Sequence, residues 1–153
     1  MLKYSLGIDV SADSLSCCLA SIDHQQQVKV ITTRSVTNSP AGFNALIRWT
    51  GKHYTHPELP LVCLLEATGV YYEQCALALR NAGFYVSVIL PNKSKKYMES
   101  LGLKSKNDKI DAKGLARMAA EQALPAWQPM SAFFFTLRTM TRQLERLQKS
   151  KTS

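Results

Sequence analysis

Four acidic residues stand where this chain could turn charge into chemistry. Asp9 falls late in the alternating stretch Tyr4–Val10 (YSLGIDV), and Glu66 closes the apolar run Leu61–Leu65 (LVCLL). Asp108 and Asp111 lie three apart in NDKIDAKGLA. A carboxylate at the end of an apolar strand is costly to bury unless something cationic meets it. Two carboxylates three apart on a helix share a face, with Cβ atoms roughly 5–6 Å apart. Like charges placed so repel, and a cation between them relieves this. Hard divalent ions such as Mg²⁺ or Mn²⁺ take carboxylate oxygens and water. Two such ions roughly 3.5–4 Å apart can bracket a phosphodiester and stabilise both its attacking and its leaving oxygen. The set thus points to metal-dependent phosphoryl transfer, with Asp9 as the natural bridging ligand and Glu66, Asp108 and Asp111 as the remaining ligands. Simpler readings stand beside it. Asp9 could be a strand-end aspartate at a turn, and Ser105 with Asp108 fits a capping box. Capping does not cover Asp111, which is expected a turn further into the helix.

The elements that must position these residues follow from periodicity. Leu15–Ala20 (LSCCLA) reads as a second strand after the turn-forming SADS, and Val28–Val36 as a third, so the first three strands form an antiparallel meander. Ser39-Pro40 is a helix start, a serine cap followed by proline at the first helical position, for a helix over 40–54. Leu61–Leu65 reads as a central strand covered on both faces. Thr68 is expected to cap a helix over 69–81, and Phe84–Leu90 (FYVSVIL) to form the last strand. Strand, helix and strand with short links imply a parallel, right-handed crossover. The order predicts a ribonuclease-H-like α/β fold with a mixed five-stranded sheet flanked by helices. Beyond Pro91 a short basic helix should end at Gly102, and a longer one over 106–122 should carry Asp108 and Asp111 on the face continued by Leu115 and Ala119.

Charge is unevenly spread. Residues 1–90 balance six Lys/Arg against six acids, so 13 of the 19 basic residues and only five of the 11 acids lie in 91–153. A block of this kind favours a polyanionic partner, although a solvated lysine-rich face would look the same. The candidate nucleic-acid contacts are Lys93, Lys95, Lys96, Lys104, Lys106, Lys109, Lys113, Arg138, Arg142 and Arg146. Cys17, Cys18, Cys63 and Cys75 show no zinc spacing and read as reduced core thiols, the adjacent pair pointing to opposite faces of a strand. His53 and His56 beside Pro57 and Pro60 read as surface loop rather than metal site. No apolar run approaches the roughly 20 residues of a membrane span, and MLKYSLGIDV lacks signal-peptide architecture. A cytoplasmic protein is expected.

GIDVS at 7–11, EATGVY at 66–71 and NDKIDAKGLA at 107–116 resemble the DEDD transposases of the insertion-sequence-110 family, which include pilin-gene-inverting recombinases. The resemblance runs from about residue 4 to 147. It implies a domain similar to the RuvC-type Holliday-junction resolvases, with Asp9, Glu66, Asp108 and Asp111 as a Mg²⁺-binding catalytic tetrad. It also implies DNA strand cleavage and transfer in transposition of an insertion sequence, guided in at least some members by an element-encoded RNA. Family members continue into a second domain that carries a serine, so the chain is expected to be the N-terminal catalytic half, incomplete by itself.

Two regions are expected: a catalytic domain over 1–128, and over 129–153 the start of a coiled-coil helix, with PAWQPM, which contains Pro125 and Pro129, as the linker before that helix. In the latter Phe133, Leu137, Met140, Leu144 and Leu147 are spaced 4, 3, 4, 3, the pattern of a seam. An amphipathic helix packed on its own domain would show the same pattern. The seam predicts a homo-oligomer, with Arg138, Arg142 and Arg146 beside it. Two other functional readings share the sequence. One is a non-catalytic nucleic-acid-binding fragment or regulator of the same fold. The other, more distant, is an actin-like ATPase, whose phosphate loop GIDxGxT lacks its glycine in GIDVSAD.

Overall fold

The computed structural model describes residues 1–102 and 110–129. Its elements are β1 (Lys3–Val10), β2 (Ser14–Ile22), β3 (Val28–Thr37), α1 (Pro40–His53), β4 (Leu61–Glu66), α2 (Tyr72–Asn81), β5 (Tyr85–Ile89), α3 (Pro91–Ser100) and α4 (Ala112–Glu121). The strands form one sheet in the order β3-β2-β1-β4-β5. β1, β2 and β3 pair antiparallel, while β4 pairs parallel with β1 and β5 parallel with β4. This is the mixed, ribonuclease-H-like plan that the element order predicts.

The sheet is covered on both faces, which is why β4 runs apolar up to Glu66 and nearly every residue of β1, Ser5 included, is buried. On one face Leu6, Ile8, Cys17, Cys63 and Leu65 pack with Leu46 and Trp49 of α1 and with Cys75 and Leu79 of α2. On the other, Leu64 and Ile89 pack with Leu115, Met118 and Ala119 of α4 and with Tyr97 of α3. Cys18 belongs to this second face beside Ala112 and Ala116. Adjacent Cys17 and Cys18 therefore point opposite ways, and all four cysteines are free and buried.

Gly7 decides how closely α4 lies on β1. A Cβ there would stand 2.1 Å from the Ala112 carbonyl oxygen and 2.4 Å from the Ala116 nitrogen, backbone atoms that cannot move aside. Glycine lets the first turn of α4 rest directly on the strand, two residues before Asp9.

Three local expectations need correcting. The last helix begins at Ala112, not near 106: Asp111 is its extended N-cap, accepting from the Gly114 N–H at 2.8 Å. Asp111 is therefore not a turn inside the helix, and it is Asp111 that caps. Residues 103–109, with Asp108, lie outside the described residues. The second helix begins at Tyr72 rather than 69, and its N-cap residue, Tyr71, makes no side-chain cap bond. Gly69 at φ +64° interrupts helical backbone there, and the Thr68 hydroxyl turns to Glu66 instead. Lastly, the proline-containing segment after α4, expected to act as a linker, is fastened along β5. The Trp127 N–H donates to the Val86 carbonyl at 2.7 Å, and Tyr85 and Ser87 hydroxyls donate to the Leu124 and Pro125 carbonyls, each at 2.6 Å. The expected seam from Phe133 to Leu147 lies outside the described residues.

Candidate active site

Parallel pairing of β1 with β4 sets Tyr4 opposite Leu61 and continues to Ile8 opposite Leu65. Asp9 and Glu66 are the next residues on their strands, so they share a register position on neighbouring strands about 4.8 Å apart. Alternation fixes their face. Gly7 lies against α4 and Leu64 packs with Leu115 and Met118, so the residues two further on, Asp9 and Glu66, also project to the α4 side. Asp111 arrives on that side because α4 starts where Gly7 admits it.

Asp9 and Asp111 stand in the wall of one cleft of about 520 Å³, which Ser16, Thr33, Ser35 and Lys113 also line. Asp9 is half-buried and Asp111 and Lys113 are exposed. Burial pushes the Cys18 thiol up, with Lys113 pulling it down and Asp111 adding to the rise, so both charges are felt at the floor of the cleft. Glu66 is buried, one strand over, and is not among the residues that wall this cleft. Its Oε1 accepts from the Thr68 hydroxyl at 2.6 Å and its Oε2 from the hydroxyl of Ser94 on α3.

The sheet thus brings Asp9, Glu66 and Asp111 to one end of its α4 face, and all three are hard oxygen donors. Among the described residues no three His, Cys, Asp or Glu side chains converge closely enough to hold a metal ion by themselves. The fourth expected carboxylate, Asp108, lies outside them.

Lys93, Lys95 and Lys96 are exposed on α3, and Lys93 and Lys96 line a hollow of about 400 Å³ with Ser87, Ile89 and Pro125. Lys113 is in the carboxylate cleft. Lys104, Lys106, Lys109, Arg138, Arg142 and Arg146 lie outside the described residues. His56 Nδ1 is 3.1 Å from the Tyr4 hydroxyl, a structural partner for the loop after α1.

From the sequence Thr68 has only a helix to cap, and Ser94 has no role. Thr68 carries a faint signal, a hydroxyl two residues after a strand-end glutamate, where local side-chain bonds form readily. Ser94, 28 residues from Glu66, carries none.

A sequence profile of the DEDD insertion-sequence-110 transposase family, described as transposase, matches residues 6–153. The pilin gene-inverting proteins of Moraxella bovis and Moraxella lacunata are each 33% identical over 146 residues, 95% of this chain and 43% of theirs. The chain thus spans less than half the length of these curated relatives. Among solved structures, Thermus thermophilus RuvC in complex with a Holliday junction substrate aligns at a TM-score of 0.53 and 16% identity, covering 77% of this chain and 93% of RuvC. RuvC from the same organism in a second structure aligns at 0.52 and 14%, with the same coverage. At such identity these two bear on the fold alone, which is RuvC-like. The family profile spans GIDVS, EATGVY and the Asp111 cap in a single match, and the chain belongs to the DEDD transposases of the insertion-sequence-110 family.

Proposed function

We propose that this chain is the catalytic domain of a DNA transposase or site-specific recombinase, cutting and transferring DNA strands by divalent-metal-dependent chemistry. The observation that carries the reading is the β1–β4 register, which sets Asp9 beside Glu66 on the face where Asp111 opens α4. Family membership supports it. Asp9, Glu66 and Asp111, completed by Asp108, would hold Mg²⁺ or Mn²⁺. When bound, such ions polarise the scissile phosphate and lower the pKa of an attacking water. The chain's own part is to fix the oxygens: Asp9 on a central strand, Glu66 between two hydroxyls, Asp111 against the first turn of a helix.

Phosphate contacts fall to the basic residues nearest this end of the sheet. Lys113 lies in the cleft itself, and Lys93, Lys95 and Lys96 stand on the helix that also holds Glu66 through Ser94. The remaining basic set, Lys104, Lys106, Lys109, Arg138, Arg142 and Arg146, would extend the contact. Affinity for duplex DNA should then fall steeply as salt rises, and a salt-insensitive affinity would remove this part of the reading. A guide RNA and a homo-oligomer joined through residues 131–150 belong to the same proposal for the longer protein. Within the described residues no helix is long and apolar enough to cross a membrane.

The metal reading is tested by melting the chain with and without Mn²⁺. A ligand that binds only the folded state at a hundredfold excess over its dissociation constant adds about 2.7 kcal/mol. The wild-type chain should show a rise of this order, and Asp9→Asn should lose most of it. An equal rise in both overturns the carboxylates as a metal site.

A further inference from the structure

Glu66 is more buried than Asp9 or Asp111, and its two oxygens are held from different elements. Thr68 reaches Oε1 from the loop just beyond β4, and Ser94 reaches Oε2 from the first turn of α3. Ser94 is 2% exposed, so water has no easy access to replace its hydroxyl. That hydroxyl has one proton and two acceptors, Glu66 Oε2 and the Pro91 carbonyl oxygen at 2.9 Å. An ionised carboxylate is the stronger acceptor, so the proton lies toward Glu66 while Glu66 is charged. Each carboxylate oxygen has two lone pairs. The two hydroxyl bonds take one on each and leave one on each for a ligand.

We propose that Ser94 and Thr68 are positioning residues that clamp Glu66 in the orientation a divalent cation needs, resting on the metal reading above. The clamp is stiff because its parts share a frame. β5 pairs Ile89 with Glu66, the Ala67 N–H donates to the Ile89 carbonyl at 2.8 Å, and α3 follows β5 within one residue. Ser94 also sits among Lys93, Lys95 and Lys96, so a phosphate drawn to those lysines bears on the same helix that sets the carboxylate. Side chains that orient a metal ligand commonly change affinity 10–100-fold when removed.

The test is a calorimetric titration of Mn²⁺ into the whole chain and its variants. Ser94→Ala should bind Mn²⁺ at least tenfold more weakly at a temperature where it is fully folded, and should melt lower than wild type without metal, because a buried carboxylate oxygen loses its donor. Thr68 is exposed and gives a second, independent pair: Thr68→Ala should weaken Mn²⁺ binding several-fold and Thr68→Ser should restore it. Ser94→Ala and Thr68→Ala with wild-type Mn²⁺ affinity would overturn the clamp while leaving the metal reading intact. Weakening by Thr68→Ser as strong as by Thr68→Ala would also overturn it, because the hydroxyl would then not be the cause. If Ser94→Ala does not fold, the Thr68 pair decides alone. A wild-type chain that takes up no Mn²⁺ overturns the metal reading and the clamp together, and the silent wild-type titration tells that failure apart.

Discussion

Asp111 caps α4 through Oδ1 and stands in the wall of the cleft that holds Asp9, so its capping and its charge need separating. Asparagine caps about as well as aspartate, whereas alanine at an N-cap costs about 1 kcal/mol. Asp111→Ala should therefore lower the unfolding free energy measured in urea by about 1 kcal/mol, and Asp111→Asn should leave it within a few tenths of a kcal/mol of wild type. Both should lose the Mn²⁺-dependent rise in melting temperature if the charge serves the metal. An Asp111→Asn chain that keeps the full rise would reduce this residue to a cap. Glu66 poses the opposite case. Its hydrogen bonds come from hydroxyls of an exposed loop and a buried helix turn, neither of which needs it for secondary structure.

Between elements, the closest fit is α4 on β1. The contact is backbone against backbone at Gly7, and α4 buries Leu115, Ala116, Met118 and Ala119 against the sheet behind it. The far end is fastened too: Lys3 Nζ donates to the Ala119 and Gln122 carbonyls at the C-terminal end of α4, where the helix dipole favours a cation. Gly7→Ala would drive a methyl into Ala112 and Ala116, and the helix must lift. Overpacking of this kind costs about 3 kcal/mol, which for a chain of this size lowers Tm by roughly 6–12 °C. Because Asp111 rides on the lifted turn, Mn²⁺ should stabilise this variant less than wild type. A Gly7→Ala chain with unchanged melting would show that α4 does not rest on β1.

For the whole molecule, the apolar layers leave a pH signature. Burial pushes the Cys17 and Cys75 thiols up to about 12, and Cys63 is raised as well. In the unfolded chain the same thiols ionise near their ordinary value of about 8.5. Between these limits the unfolded chain has released protons that the fold still holds, so rising pH favours unfolding. Each thiol then removes about 1.4 kcal/mol per pH unit. The stabilisation is complete below pH ~8.5 and drains away from there toward about 12. Urea midpoints measured from pH 8 to 10.5 should fall, and Cys75→Ala should make the slope shallower. An unchanged slope in that variant would mean that Cys75 does not contribute through its proton.

What the sequence determined by itself was the order and type of the elements. Strand pleat and helix turn are local periods, so Leu6, Ile8, Leu61–Leu65 and the Ser39-Pro40 start reveal their elements without reference to distant residues. Short links then limit how consecutive strands can pair, which reached the first three strands and the crossover from β4 to β5; the pairing of β4 with β1 that sets Glu66 beside Asp9 is a fact of the tertiary structure. The family motifs named the residues expected to complete the site, Asp108 and Asp111. The tertiary structure alone decided which partners the side chains take. Asp111 was expected a turn inside the helix, and only the extended backbone at Asp111 itself makes it the cap. Thr68 had a helix to cap or a carboxylate to hold, and the left-handed Gly69 settled that choice. Ser94 reaches Glu66 only because β5 delivers α3 to the end of β4, and nothing in KSKK announces it. Alternatives of this kind differ by about 1 kcal/mol, and the balance is tipped by which distant element comes to lie beside them.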